Sequence, residues 1–65
     1  MFTAWTINEA VGGRGGQLRR GEYASLEDAV QRADAELVGP GGRPKRFIYG
    51  VVTDWRGARV YDSRK

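Results

Sequence analysis

The side chains able to do chemistry in this sequence are carboxylates, guanidiniums and aromatic rings, because it holds 8 Asp+Glu and 11 Lys+Arg but no His and no Cys. Without imidazole or thiolate, zinc-finger ligand sets, Cys nucleophiles and His-based triads are excluded. No metal ligand, no cofactor contact and no disulfide is expected. Carboxylate pairs are the remaining route to acid–base chemistry, and Asp54 with Asp62, or Glu9 with Glu22, stand where neighbouring strands would bring them together. A domain of 65 residues has little interior in which to desolvate a carboxyl, and without burial its pKa stays near the ordinary value of about 4. The chain is read as non-enzymatic.

Gly12-Gly13-Arg14-Gly15-Gly16 invites comparison with a phosphate cradle, since glycine backbones can turn N–H groups toward an anion. The setting argues otherwise. No Gly-Lys-Ser/Thr follows, and the run joins two strand-like segments instead of leading into a helix N-terminus. It is expected to be a hairpin tip with Arg14 at its apex, able to order on binding.

Guanidiniums dominate the cations, with nine Arg among the 11, and the net charge of +3 permits an anionic partner without requiring one. Residues 39–65 carry Arg43, Lys45, Arg46, Arg56, Arg59, Arg64 and Lys65 against Asp54 and Asp62, while residues 25–38 are net acidic. Such polarity orients a molecule. In a nucleic-acid reading, Arg19, Arg20, Arg43, Lys45, Arg56 and Arg59 would meet phosphates while Trp55, Tyr49 and Tyr61 stack on bases. No ribonucleoprotein strand, helix-turn-helix or Gly-x-x-Gly clamp accompanies them.

These groups must be held by few elements. Phe2 to Glu9 alternates with Trp5 and Ile7 on one side and Phe2 and Ala4 on the other, which predicts a strand; Gln17 to Tyr23 predicts a second. Ser25 is an N-cap with Asp28 three residues on. Leu26, Ala29, Val30, Ala33 and Leu37 then follow at helical spacing until Gly39-Pro40 stops the helix. Arg46 to Thr53 predicts a strong third strand, and a turn at Asp54-Trp55-Arg56-Gly57 leads to a fourth, Ala58 to Asp62. The expected fold is α+β: one domain over residues 1–65, of order ββαββ, a four-stranded antiparallel sheet with the helix packed on one face.

One helix covers one face, yet the third strand is apolar on both. Gly50 would admit the helix closely, which puts Ile48 and Val52 beneath it and Phe47, Tyr49 and Val51 outside, joined there by Arg59 and Tyr61 of the fourth strand. Three coverings are available to that face: the 39–45 loop folded back, a second copy in a homodimer, or a larger protein partner. Rigid aromatics and Arg supply most of the energy at binding surfaces, so Phe47, Tyr49, Trp55, Arg56, Arg59 and Tyr61 form the expected partner-binding set.

The size, the ββαββ order and the Arg-rich strand pair resemble small stand-alone proteins of bacteriophages and mobile elements, the anti-CRISPR proteins in particular. The segments that carry the resemblance are Phe2-Thr3-Ala4-Trp5-Thr6-Ile7, Ser25-Leu26-Glu27-Asp28-Ala29-Val30 and Arg46-Phe47-Ile48-Tyr49-Gly50-Val51-Val52. The resemblance implies an inhibitor that docks on a nucleic-acid-processing, ribonucleoprotein-type complex and obstructs it sterically. Acidic members of that group mimic DNA; a basic chain would meet an acidic protein patch instead. The longest apolar stretch, Phe47 to Val52, falls far short of the ~20 residues of a membrane span, and cytoplasmic residence is expected.

Overall fold

A computed structural model describes residues 1–11, 16–45 and 47–64, without the Pro40 side chain. Four strands and one helix follow in the order β1 (Phe2–Asn8), β2 (Gln17–Tyr23), α1 (Leu26–Asp34), β3 (Ile48–Thr53) and β4 (Arg59–Asp62). The sheet is open and antiparallel, with spatial order β2-β1-β3-β4. The two most apolar strands, β1 and β3, occupy its centre.

Small residues set the distance between helix and sheet. Ala4 of β1, Val52 of β3 and Ala29 and Ala33 of α1 are fully buried together, with Phe2, Tyr23, Val30 and Tyr61 packed around them. Gly50 completes the contact. A Cβ added there would lie 2.8 Å from the Ala33 carbonyl oxygen, so the helix rests on bare backbone at that point.

Ser25 caps α1 as its type predicts, its hydroxyl accepting from the Asp28 N–H at 3.5 Å. The helix stops at Asp34, a turn before Gly39, where Leu37 N bonds Asp34 O at 3.1 Å in place of the helical Ala33 O. Leu37 O accepts from Lys45 N at 2.8 Å, and Val38 bridges Pro44. The 39–45 loop thus pairs with the segment just after the helix and does not fold over the opposite face of the sheet. Leu26 remains exposed and adds little to the core.

Each edge strand carries a register shift. Phe2↔Tyr23 to Ala4↔Gly21 gives way to Trp5↔Arg19, which makes Arg20 the extra residue of β2. Likewise Val52↔Tyr61 gives way to Thr53↔Arg59, which makes Val60 the extra residue of β4. Bulges of this kind blunt an edge against pairing with other strands and re-aim the side chains beside them. Among the described residues no helix is long and apolar enough to cross a membrane.

Candidate functional site

The β3–β4 connection is built to hold an indole in the open. Asp54 Oδ1 accepts from Arg56 N at 2.9 Å and Ala58 N at 3.0 Å, while Gly57 N donates to Asp54 O at 3.0 Å. Gly57 has φ of +82°, a conformation that suits glycine. The turn is therefore fixed by its own bonds, yet Trp55 is 67% exposed. Its ring meets Phe2 edge-on, with centroids 5.9 Å apart, and the Arg56 guanidinium lies 5.7 Å from its centroid.

Beside this turn, on the helix-free face, runs a groove of about 210 Å³ lined by Trp5, Ile7, Gln17, Val51, Thr53, Gly57 and Arg59. Trp5 and Val51 are cross-strand partners, and Trp5 Nε1 donates to Thr53 Oγ1 at 2.9 Å. The indole is pinned as a floor. Arg59 reaches the rim because of the β4 bulge: continuing the Val52↔Tyr61 register would have set Val60 opposite Thr53 instead.

Four of the residues expected on that face are elsewhere or already covered. Tyr61 lies on the helix side, where its hydroxyl bonds both carboxylate oxygens of Asp34 at 2.8 and 3.0 Å. The bulge is the cause, since it breaks the two-residue alternation between Arg59 and Tyr61. Tyr49 does face away from the helix but is only 9% exposed, because the Arg64 guanidinium stacks on its ring at 3.7 Å. Arg64 in turn bonds Asp62 at 2.8 Å and Glu9 at 3.1 Å, contacts with Asp62 first that raise its already high pKa. Val51 is 2% exposed beneath its neighbours. Phe47 lies outside β3, turned out by a positive φ of 65° and 62% exposed, its carbonyl accepting from Glu9 N at 2.7 Å. The chain itself supplies much of the cover that the sequence assigned to another molecule.

Burial and the Asp34 contact push the Tyr61 phenol up to about 12. Its neutral form is favoured in the folded state, so the contribution is complete below pH ~10 and is lost as pH rises from about 10 to 12. Screening by solvent holds it to the order of 1 kcal/mol. Chemical denaturation is expected to record this alkaline loss in the parent and a flatter profile in Tyr61→Phe; equal slopes would assign the loss to other groups.

The cations of the nucleic-acid reading are dispersed. Arg19 pairs with Glu22, and Arg20 turns to the helix side to bond Thr6 and Glu36 at 3.0 Å each. Glu36, also bonded by Arg32, is held below its usual pKa, chiefly by that Arg32 contact. Lys45 lines a small pocket with Arg20 and Glu36. Arg43 belongs to the exposed loop after the helix, whereas Arg56 and Arg59 stand at the β3–β4 end. The carboxylates once paired for acid–base work are likewise separately engaged: Glu9 and Asp62 by Arg64, Glu22 by Arg19, and Asp54 by its own turn. Arg14 and its glycines at 12, 13 and 15 lie outside the described residues.

What the structure brings together is Trp55, Arg56 and Gly57 on one fixed turn, next to a groove with Trp5, Val51, Thr53 and Arg59. Trp5 and Ile7 were not among the residues assigned to a site. A signal for them was present: Ala4 matches the small residues of the helix face, which leaves Trp5 and Ile7 facing the other way. No family model, no curated protein and no solved structure matches the chain.

Proposed function

We propose that this protein is a non-enzymatic docking module that engages a larger protein through the Trp55–Arg56 turn and the groove beside it. The observation that carries this reading is the Trp55 indole, 67% exposed on a turn whose backbone is already fixed by Asp54. An exposed ring on a rigid mount loses little conformational freedom on binding, and Trp and Arg are the residues that anchor interfaces. Steric inhibition of a nucleic-acid-processing complex, the role implied by the resemblance to anti-CRISPR proteins, is its most specific form. Direct nucleic-acid binding is the competing reading, supported by Arg43, Lys45, Arg56 and Arg59, none of which takes part in the ion pairs among the described residues.

Capture of a partner from host lysate, followed by affinity measurement, tests the choice. Trp55→Ala is expected to weaken binding about 30-fold, as loss of an interface anchor does, with an unchanged circular dichroism spectrum. Affinity should fall only slightly as salt rises from about 50 to 200 mM, whereas phosphate contacts lose orders of magnitude over that range. Tight, salt-sensitive binding to mixed DNA and RNA in a gel shift, indifferent to Trp55, would reverse the order of the two readings.

A further inference from the structure

The groove beside the turn has a composition that selects what enters it. Trp5 and Ile7 are the partly exposed apolar side chains of its floor, above the buried Val51, and the Trp5 indole is held there by Thr53. Among the described residues its lining carries one guanidinium. Arg19, Arg20, Arg32 and Arg64 all pair with carboxylates of the chain, but Arg59, exposed at the rim, belongs to none of the ion pairs among the described residues. The β4 bulge is what sets this Arg, instead of Val60, opposite Thr53.

We propose that the groove formed by Trp5, Ile7, Val51, Thr53 and Arg59 receives an extended protein segment in which an aliphatic side chain is followed by a carboxylate. The aliphatic group packs on the Trp5 indole and Ile7, and the carboxylate pairs with Arg59, a fork suited to two parallel bonds. This assignment rests on the docking reading and names the chemistry of its partner. A carboxylate fits better than a phosphate chain because a strand of nucleic acid needs a row of cations along its path. Among the described residues the groove's lining offers a single unpaired one; Arg56 on the adjoining turn lies over Trp55, and the exposed Arg43 belongs to the loop that pairs with the segment after the helix.

The two indoles, Trp5 and Trp55, give separate N–H resonances in an isotope-labelled sample of the whole chain, so groove and turn can be read independently. The probe is an end-blocked peptide of alternating Leu and Asp, compared with its Leu–Asn counterpart and with a thymidine oligonucleotide. Saturable shifts of the Trp5 indole are expected with the acidic peptide. They should weaken at least tenfold with the Asn peptide and at least tenfold in Arg59→Glu, whose dispersed spectrum verifies its fold; Arg59→Gln gives the same loss without charge reversal. Absence of a Trp5 response at millimolar acidic peptide overturns the assignment, as does equal binding of the Asn peptide. Shifts confined to Trp55 remove the groove while leaving docking at the turn intact. Movement of both indoles with the oligonucleotide alone removes both proposals.

Discussion

Gly50→Ala is expected to cost about 2–3 kcal/mol, and Gly50→Val more, because the added atoms have nowhere to go. A Cβ at this position meets the Ala33 carbonyl oxygen at 2.8 Å, its carbonyl carbon at 3.1 Å and its Cβ at 3.1 Å. Two of those neighbours are backbone, so relief requires the helix to lift from the sheet. Lifting it opens the contact among Ala4, Ala29, Ala33 and Val52, the whole of the fully buried cluster. A chain of 65 residues has a total stability of roughly 3–10 kcal/mol, so Gly50→Val should leave a large unfolded fraction near 37 °C. Gly39→Ala is the control. Its Cβ would sit 3.6 Å from the nearest atom, at an ordinary negative φ of −88°, and its effect should stay within about 0.5 kcal/mol. Thermal melts of the three variants decide the matter: a Gly50→Ala protein as stable as Gly39→Ala would mean that another contact sets the helix–sheet spacing.

The legible part of this fold follows from the same steric fact. Alternation in Phe2–Asn8, the Ser25 cap, the three- and four-residue spacing of Ala29, Val30 and Ala33, and the lone glycine in a strong strand all point to one packing. The structure has that packing, with β2 at the expected residues. Less legible were features that depend on pairing between segments distant in sequence. The helix was expected to run to Leu37, but Leu37 N bonds Asp34 O in place of Ala33 O, and the Leu37 carbonyl beyond it pairs with Lys45 N, a contact no local pattern announces. Strand alternation put Tyr61 beside Arg59, and one extra residue at Val60 separated them onto opposite faces. Phe47 was counted as part of β3 on its hydrophobicity, while its positive φ removes it from the ladder. For the site, the turn with Trp55 and Arg56 was visible as turn chemistry, and Arg59 was placed on the right face. Trp5 was not singled out, since its role depends on the Val51 and Thr53 side chains that meet it across the strand.

The same long-range pairing changes what a substitution at Tyr49 should do. An aromatic expected on a docking surface would be removable without harm to the fold, which is what its place beside Arg59 suggested. The Tyr49 ring is instead enclosed between the sheet and the Arg64 guanidinium, 3.7 Å above it, and Arg64 is anchored by Asp62 and Glu9. Tyr49→Ala therefore leaves a void and frees Arg64, at a cost of about 3 kcal/mol, or a lowering of Tm by roughly 10–20 °C. Tyr49→Phe keeps the stacked ring and should melt close to the parent. Trp55→Ala gives up one edge contact with Phe2 and an exposed cation–π pair, together about 1 kcal/mol. Any partner assay thus has to read the two aromatics differently. A loss of binding in Trp55→Ala reports on the interface, whereas one in Tyr49→Ala tracks the folded fraction and should be restored by cooling or by Tyr49→Phe. If Tyr49→Ala instead melts with the parent and binds poorly, the ring works at a surface after all, and Arg64 must be a cover that a partner displaces.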